Sequence, residues 1–244
     1  MIFNIEAFTH KGAVREANQD VILVHDKVQN DGTYSNIIEG ATRSFVADGV
    51  GGHPFGDIAA GLLLRELNEK LVINENPERE KLSGICHQIN QQIIRFGEDH
   101  PQYEGMATTL SGIIFYDNCY RVVNAGDSRV LLLRNQKLRN LTHDQVLAAE
   151  IPNSPITSYF GGTMNALDLL ISSGKDLIMD ADIFLVSSDG IFKALTCSQI
   201  EKILSNSKSL HEKADFIFYK AIQNGASDNI SCIFIEVNQN QNNA

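Results

Sequence analysis

Basic residues are scarce in this chain. Across 244 residues there are 20 Lys and Arg against 30 Asp and Glu, a net charge of −10 with histidine neutral. Non-specific nucleic-acid binding needs a basic face that releases counterions, so no nucleic-acid partner is expected. A phosphate-bearing substrate meets a repulsive background and needs local cations to draw it in. Cysteine is scarce too. Cys86, Cys119, Cys197 and Cys232 lie far apart and form no C-x-x-C pair, which argues against a disulfide framework and fits a reducing compartment. No apolar run approaches the roughly 18 residues of a membrane span. The opening Met1-Ile2-Phe3-Asn4-Ile5-Glu6-Ala7-Phe8 has no basic region followed by an apolar stretch, so no secretory signal is expected. These absences point to the cytoplasm, with no membrane partner. Internal repeats and an interdomain linker are lacking as well.

What is present is an ordinary globular composition, 43% hydrophobic and 20% charged, in a chain long enough for one large core. The β-branched and apolar runs Ile2–Thr9, Val21–His25, Thr42–Ala47, Thr108–Tyr116, Tyr120–Ala125, Val130–Leu133, Leu167–Ser172, Ile183–Ser187 and Ile230–Val237 predict strands. Turn signals at 116–119 and 134–137 make neighbouring runs antiparallel hairpins. Helical periodicity covers Asp57–Val72 and Pro77–Glu98, with Pro77 placed to open the second. Two further helices are predicted, Thr196–Ser205, capped by Thr196, and Leu210–Asn224. Strands and helices in separate runs predict an α+β fold, with helices covering the outer faces of packed antiparallel sheets. The apolar stripes of the helices are core. Residues 1–237 read as one domain, Leu147–Thr163 as an irregular loop, and 238–244 as a polar, disordered tail.

The chemistry sits at strand ends. Val46-Ala47-Asp48-Gly49-Val50-Gly51-Gly52-His53 delivers one carboxylate into a glycine-rich turn that leaves room for close backbone approach. Ile183–Ser188 leads likewise into Asp189-Gly190, and Gly126-Asp127-Ser128 and Ser227-Asp228-Asn229 set further acids between small residues. Two carboxylates about 4 Å apart repel by roughly 4 kcal/mol at an effective dielectric of about 20, so converging aspartates need cations. An all-oxygen donor set without converging histidine or thiolate favours Mg²⁺ or Mn²⁺ over zinc. Two such ions can hold a hydroxide and neutralise a phosphoryl group during in-line displacement, without a nucleophilic cysteine.

Further blocks complete the pattern: Arg15-Glu16-Ala17-Asn18-Gln19-Asp20, Gly105-Met106-Ala107-Thr108-Thr109, Asn124-Ala125-Gly126-Asp127-Ser128-Arg129 and Leu141-Thr142-His143-Asp144. In this order, over about residues 7–237, the chain resembles the metal-dependent Ser/Thr protein phosphatases of the protein phosphatase 2C family, in their bacterial form. The resemblance implies a four-layer α-β-β-α sandwich that hydrolyses phosphoserine and phosphothreonine on proteins by attack of a metal-bridged hydroxide. A phosphorylated protein substrate and a cognate Ser/Thr kinase are the implied partners. It also implies that Asp48 bridges two Mn²⁺ or Mg²⁺ ions, with the Gly49 carbonyl on the second. Asp189 and Asp228 complete the first ion's shell, and Asp127 with Asp189 holds a third, weaker ion, as in many members. Arg15 clamps substrate phosphate, as bidentate guanidinium geometry allows. Gln19 and Asp20 act behind the ligands through water. The competing classes are a partner-switching phosphatase, which normally brings a regulatory domain, and a non-catalytic module that keeps only the fold.

Three departures stand out. Gln19 replaces the glutamate of many eukaryotic members. Val50 stands where those members carry a histidine proposed as general acid, so the leaving oxygen must be protonated from metal-bound water or elsewhere. The flap between Leu141-Thr142 and Ser187 is shortened, to roughly Asp144–Gly162. Plain structural roles are expected for His53 and His143 in loops, for Arg129 as partner of a carboxylate, and for Thr108 and Thr109 as strand residues near the site.

Overall fold

In a computed structural model of the chain, the described residues are 1–50, 55–73, 75–76, 78–148, 151, 154–164, 166–172 and 176–239. The chain opens with β1 (Ile2–His10), β2 (Asp20–Val24), β3 (Lys27–Gln29), β4 (Gly32–Glu39) and β5 (Thr42–Asp48), then α1 (Gly56–Lys70) and α2 (Arg79–Asp99). There follow β6 (Ala107–Thr108), β7 (Leu110–Tyr116), β8 (Cys119–Ala125), β9 (Arg129–Arg134) and β10 (Lys137–Asn140), and the short strands β11 (Phe160–Gly161), β12 (Leu170–Ile171) and β13 (Asp176–Leu177). The last stretch is β14 (Ile183–Ser187), α3 (Asp189–Ala194), α4 (Cys197–Leu204), α5 (Leu210–Gln223) and β15 (Ile230–Asn238).

Two antiparallel sheets result. One runs β10-β9-β14-β15-β1-β4. The other runs β12-β8-β7-β5-β2-β3, with β13 also paired to β8. Side chains that alternate across a strand send Phe184 and Val186 between the sheets, beside Phe3, Ile5, Phe115 and Ile235. Their neighbours Ile183 and Leu185 point the other way, into a core shared with Ile191, Ile200 and Ile217 of α3–α5. On the far side, Leu63, Leu67 and Ile89 of α1 and α2 pack on Leu23, Phe45 and Val123. This is the expected α-β-β-α sandwich. Central strands buried on both faces lose the polar alternation of a half-exposed strand, which is why they read as continuous apolar runs.

The local signals work where they are strong. Thr196 and Ser209 accept hydrogen bonds from the Gln199 and Glu212 N–H groups, and each side chain reciprocates, closing two capping boxes. Helix α2 starts at Arg79 behind Glu78; Pro77 lies outside the described residues. Several elements differ from expectation. Strands β3 and β4 carry few apolar residues because both are sheet edges and largely solvent-facing. The strand expected over Leu167–Ser172 shrinks to Leu170–Ile171, where it pairs with β8. The loop expected over Leu147–Thr163 contains β11, paired to β6. Strand β15 carries Asn238, one residue past the expected domain end, and the Gln239 N–H donates to Asp180 Oδ1. The remainder of the expected tail, 240–244, lies outside the described residues.

Candidate active site

Asp48 is the last residue of β5 and pairs in register with Asp20, the first of β2. Its main chain is held from both sides. The Asp48 N–H donates to Thr109 Oγ1 at 3.1 Å, and its carbonyl accepts from Thr108 Oγ1 at 3.0 Å and from the Thr109 N–H at 2.8 Å. Thr108 and Thr109, expected merely to pack nearby, thus fix where the Asp48 carboxylate stands. Beyond it the backbone of Gly49 meets that of Gly56 so closely that a Cβ on Gly49 would lie 2.7 Å from Gly56 Cα. The second Asp-Gly works the same way. A Cβ on Gly190 would lie 1.9 Å from the carbonyl oxygen of Asn229. Glycine at both positions lets separate chain segments touch, which brings their aspartates to one place.

Four aspartates from four chain segments open into one cavity of about 420 Å³. Asp48, Gly49, Asp127, Asp189 and Asp228 line it together with Arg15, Gln19, Val50, Lys193 and Asn229. All but one of the site residues named from the sequence are there. Asp20 is the exception. It is fully buried behind Asp48, and its Oδ2 accepts from Ser188 Oγ (2.8 Å) and Ser231 Oγ (2.7 Å). Part of the segment expected to form a flap makes a rim: Val146 bridges to Ile156, and Ser154, Pro155 and Ile156 face the cavity. His53 lies outside the described residues. Arg129 clamps Asp144 with two bonds of 2.8 and 2.6 Å, the structural partnership expected of it.

Two residues were overlooked in the sequence. Asn229 staples the start of the chain to the site: its side chain donates to the Lys11 and Ala17 carbonyls and accepts from the Gln19 N–H. Its only sequence signal is adjacency to Asp228. Lys193 is the second. Its Nζ lies 2.5 Å from Asp189 Oδ2 and 2.7 Å from Asp228 Oδ2. The available signal was its spacing, four residues after Asp189 and so one helical turn along the same face. Arg15 also turns to Asp228, with Nε 2.9 Å from Oδ1.

The electrostatics are those of too many acids in too little water. Burial, aided by the charge of Asp189, pushes Asp127 up to about 7. Burial pushes Asp20 up to about 6, with the serine hydroxyls and Asp48 offsetting only part of it. Asp48 is driven well above the usual range by burial and then by Asp20, Asp189, Asp127 and Asp228. Asp189 is raised by burial and Asp228 in spite of Lys193. Of these five aspartates, Asp228 alone is held below its usual value. Burial opposes this, but the hydrogen bond and charge of Lys193, the Asn229 N–H and Arg15 prevail. Burial works against the Lys193 ammonium as well, and the two aspartates overcome it and push it up.

Such a site fits divalent cations. Asp127 Oδ1 and Asp20 Oδ1 are buried acceptors with no hydrogen-bond donor, an expensive state that added positive charge would relieve. The acidic residues lining the cavity offer carboxylate oxygens, suited to a hard ion. Among the described residues no three acid, histidine or cysteine side chains already form a closed cage; Lys193 and Arg15 are engaged with the acids in the present arrangement.

Residues 18–230 match the family model described as Protein phosphatase 2C. The chain belongs to the protein phosphatase 2C family. The resemblance drawn from its motif blocks is borne out. Among family members, it is 30% identical to "Serine/threonine phosphatase stp" of Listeria welshimeri over 94% of each chain. It is 27% identical to "Protein phosphatase PhpP" of Streptococcus pneumoniae, over 96% of this chain and 98% of that one. The S. agalactiae serine/threonine phosphatase superposes with a TM-score of 0.78 at 25% identity, covering 96% of this chain and 99% of the other. The same fold, at a TM-score of 0.77 and 24% identity over 98% and 99% of the two chains, is that of the catalytic domain of PstP in complex with two manganese ions.

Proposed function

We propose that this chain is a divalent-metal-dependent protein phosphatase that hydrolyses phosphoserine and phosphothreonine on protein substrates. The observation that carries the reading is the convergence of Asp48, Asp127, Asp189 and Asp228 with Arg15 on one cavity, in a member of a phosphatase family whose relatives bear that name. Asp48, the Gly49 carbonyl, Asp189 and Asp228 would hold two Mn²⁺ or Mg²⁺ ions, and Asp127 with Asp189 would hold a weaker third. When bound, the ions supply positive charge to the phosphoryl oxygens and lower the pKa of water so that a nucleophile exists at neutral pH.

The protein's own groups do the rest. Thr108, Thr109 and the sheet register fix Asp48, so little reorganisation accompanies the reaction. Asp20, held by Ser188 and Ser231, backs Asp48 from inside the sheet, and Gln19 acts from the cavity wall. Val50 offers no proton to the leaving oxygen. Arg15 contacts Asp228 through Nε, so its two Nη groups can receive phosphate oxygens. A cytoplasmic site of action opposite a Ser/Thr kinase agrees with four free cysteines. The phosphatase unit extends through the end of β15 at Asn238.

The test is phosphate release from a phosphothreonine peptide by the purified chain, with millimolar Mn²⁺ or Mg²⁺ and again with excess EDTA. Turnover that requires the ion is expected; no metal-dependent turnover overturns the reading. Arg15→Ala should raise KM for the peptide about tenfold or more, since a hydrogen bond to a charged group contributes about 1.5–3 kcal/mol. Mn²⁺ affinity should not weaken, because the guanidinium offers nothing to a cation. Calorimetric titration beside steady-state kinetics checks both halves; loss of metal affinity with unchanged kinetics contradicts the assignment.

A further inference from the structure

Lys193 occupies a position that the phosphatase reading does not account for. Helix α3 carries it one turn beyond Asp189, and its ammonium bonds the Oδ2 atoms of both Asp189 and Asp228. The remaining oxygen of Asp228 is also taken, by the Asn229 N–H and by Arg15. Asp189 and Asp228 come from segments almost forty residues apart, yet one side chain joins them. Its side chain keeps 32% of its accessible surface, against 22% for Asp189 and 20% for Asp228. Arg15 is the more exposed partner and reaches only Asp228.

We infer that Lys193 is a tethered cation that occupies the Asp189–Asp228 carboxylate pair in competition with a divalent ion. This rests on the assignment of those two acids as metal ligands. An ion that takes the two Oδ2 atoms competes with the ammonium for them, and displacing it breaks two charge-assisted hydrogen bonds. The same bonds counterbalance buried negative charge when no ion is bound. Lys193 therefore lowers metal affinity at this half of the site and stabilises the metal-free fold. The ion concentration at which the site fills is set by a residue of the chain as well as by its ligands.

The experiment compares wild type with Lys193→Met, Lys193→Gln and Lys193→Arg, each stripped with EDTA and freed of chelator. Mn²⁺ is titrated by calorimetry, and melting temperature is recorded without and with saturating Mn²⁺. The Met and Gln variants should bind Mn²⁺ at one site about tenfold tighter or more, and the Arg variant should stay near wild type. Metal-free Met and Gln proteins should melt lower than wild type, and their gain on adding Mn²⁺ should be larger. Unchanged or weaker Mn²⁺ affinity in both neutral variants overturns the competition. Mn²⁺ uptake by the neutral variants with none by wild type supports it in its strongest form. If wild type and all variants fail alike to take up Mn²⁺ while remaining folded, the metal-ligand assignment itself falls, and this inference with it.

Discussion

Asp48→Asn should abolish metal-dependent phosphate release, by at least about a hundredfold, while making the metal-free protein more stable. The first effect follows from the assignment: even residues that only support a metal ligand cost about 10–100-fold when replaced, and Asp48 is proposed to touch both ions. The second follows from the surroundings. Asp48 is half-buried and repelled by Asp20, Asp189, Asp127 and Asp228, so its charge opposes folding when no cation offsets it. Asparagine keeps the shape and leaves the threonine contacts to the main chain intact. Each kcal/mol gained should raise melting by about 2–4 °C in a chain of this size. Turnover in Mn²⁺ and melting in EDTA at pH 8 check the pair of effects. Retained turnover, or a lower melting temperature, contradicts the role given to this carboxylate. Function here is held at the expense of stability, a trade common at active sites.

The second large effect is a fall in metal-free stability as pH rises. Asp20 moves from the ordinary 3.8 to about 6 and Asp127 from 3.8 to about 7. Between the unfolded and folded values of each group, the native state binds more protons than the unfolded state. Stability contributed by these protons is complete below about 3.8, declines through the folded values, and is gone above about 7. For Asp20 the difference is on the order of 3 kcal/mol. Asp48 acts in the same direction. Asp228 acts oppositely, because its folded value is depressed, but its stabilisation is lost only as pH falls below the ordinary 3.8. His211, held up by its bond to Glu6, also loses stabilisation as pH rises, but it lies in solvent, where screening leaves little. Melting temperature in EDTA should therefore decline from pH 4 to pH 7 and level off. Saturating Mn²⁺ at pH 8 should recover the loss and more. A metal-free protein that grows more stable from pH 5 to pH 8 contradicts the charge crowding.

The sequence by itself determined the layers of the fold and most of the wall of the cavity. Apolar strand runs such as Ile183–Val186 and helix caps such as Thr196 are local signals, because strand period, helix period and capping depend on neighbours a few residues away. The Asp-Gly pairs were readable for a related reason: glycine after Asp48 and Asp189 anticipates another backbone passing close by, though not which one. The family blocks, in their order, then named the acids. Tertiary structure alone decided what those acids touch. Edge strands such as β4, largely solvent-facing, show no regular apolar alternation, so only their pairing reveals them. Nothing local says that Asp20 turns inward to Ser188 and Ser231 while Asp48, its register partner, faces the cavity. Nor does sequence spacing say that Arg15 meets Asp228, or that Lys193 joins Asp189 to it. Those pairings cross long stretches of chain and depend on how the sheets dock, since charge acts through space and not along the backbone.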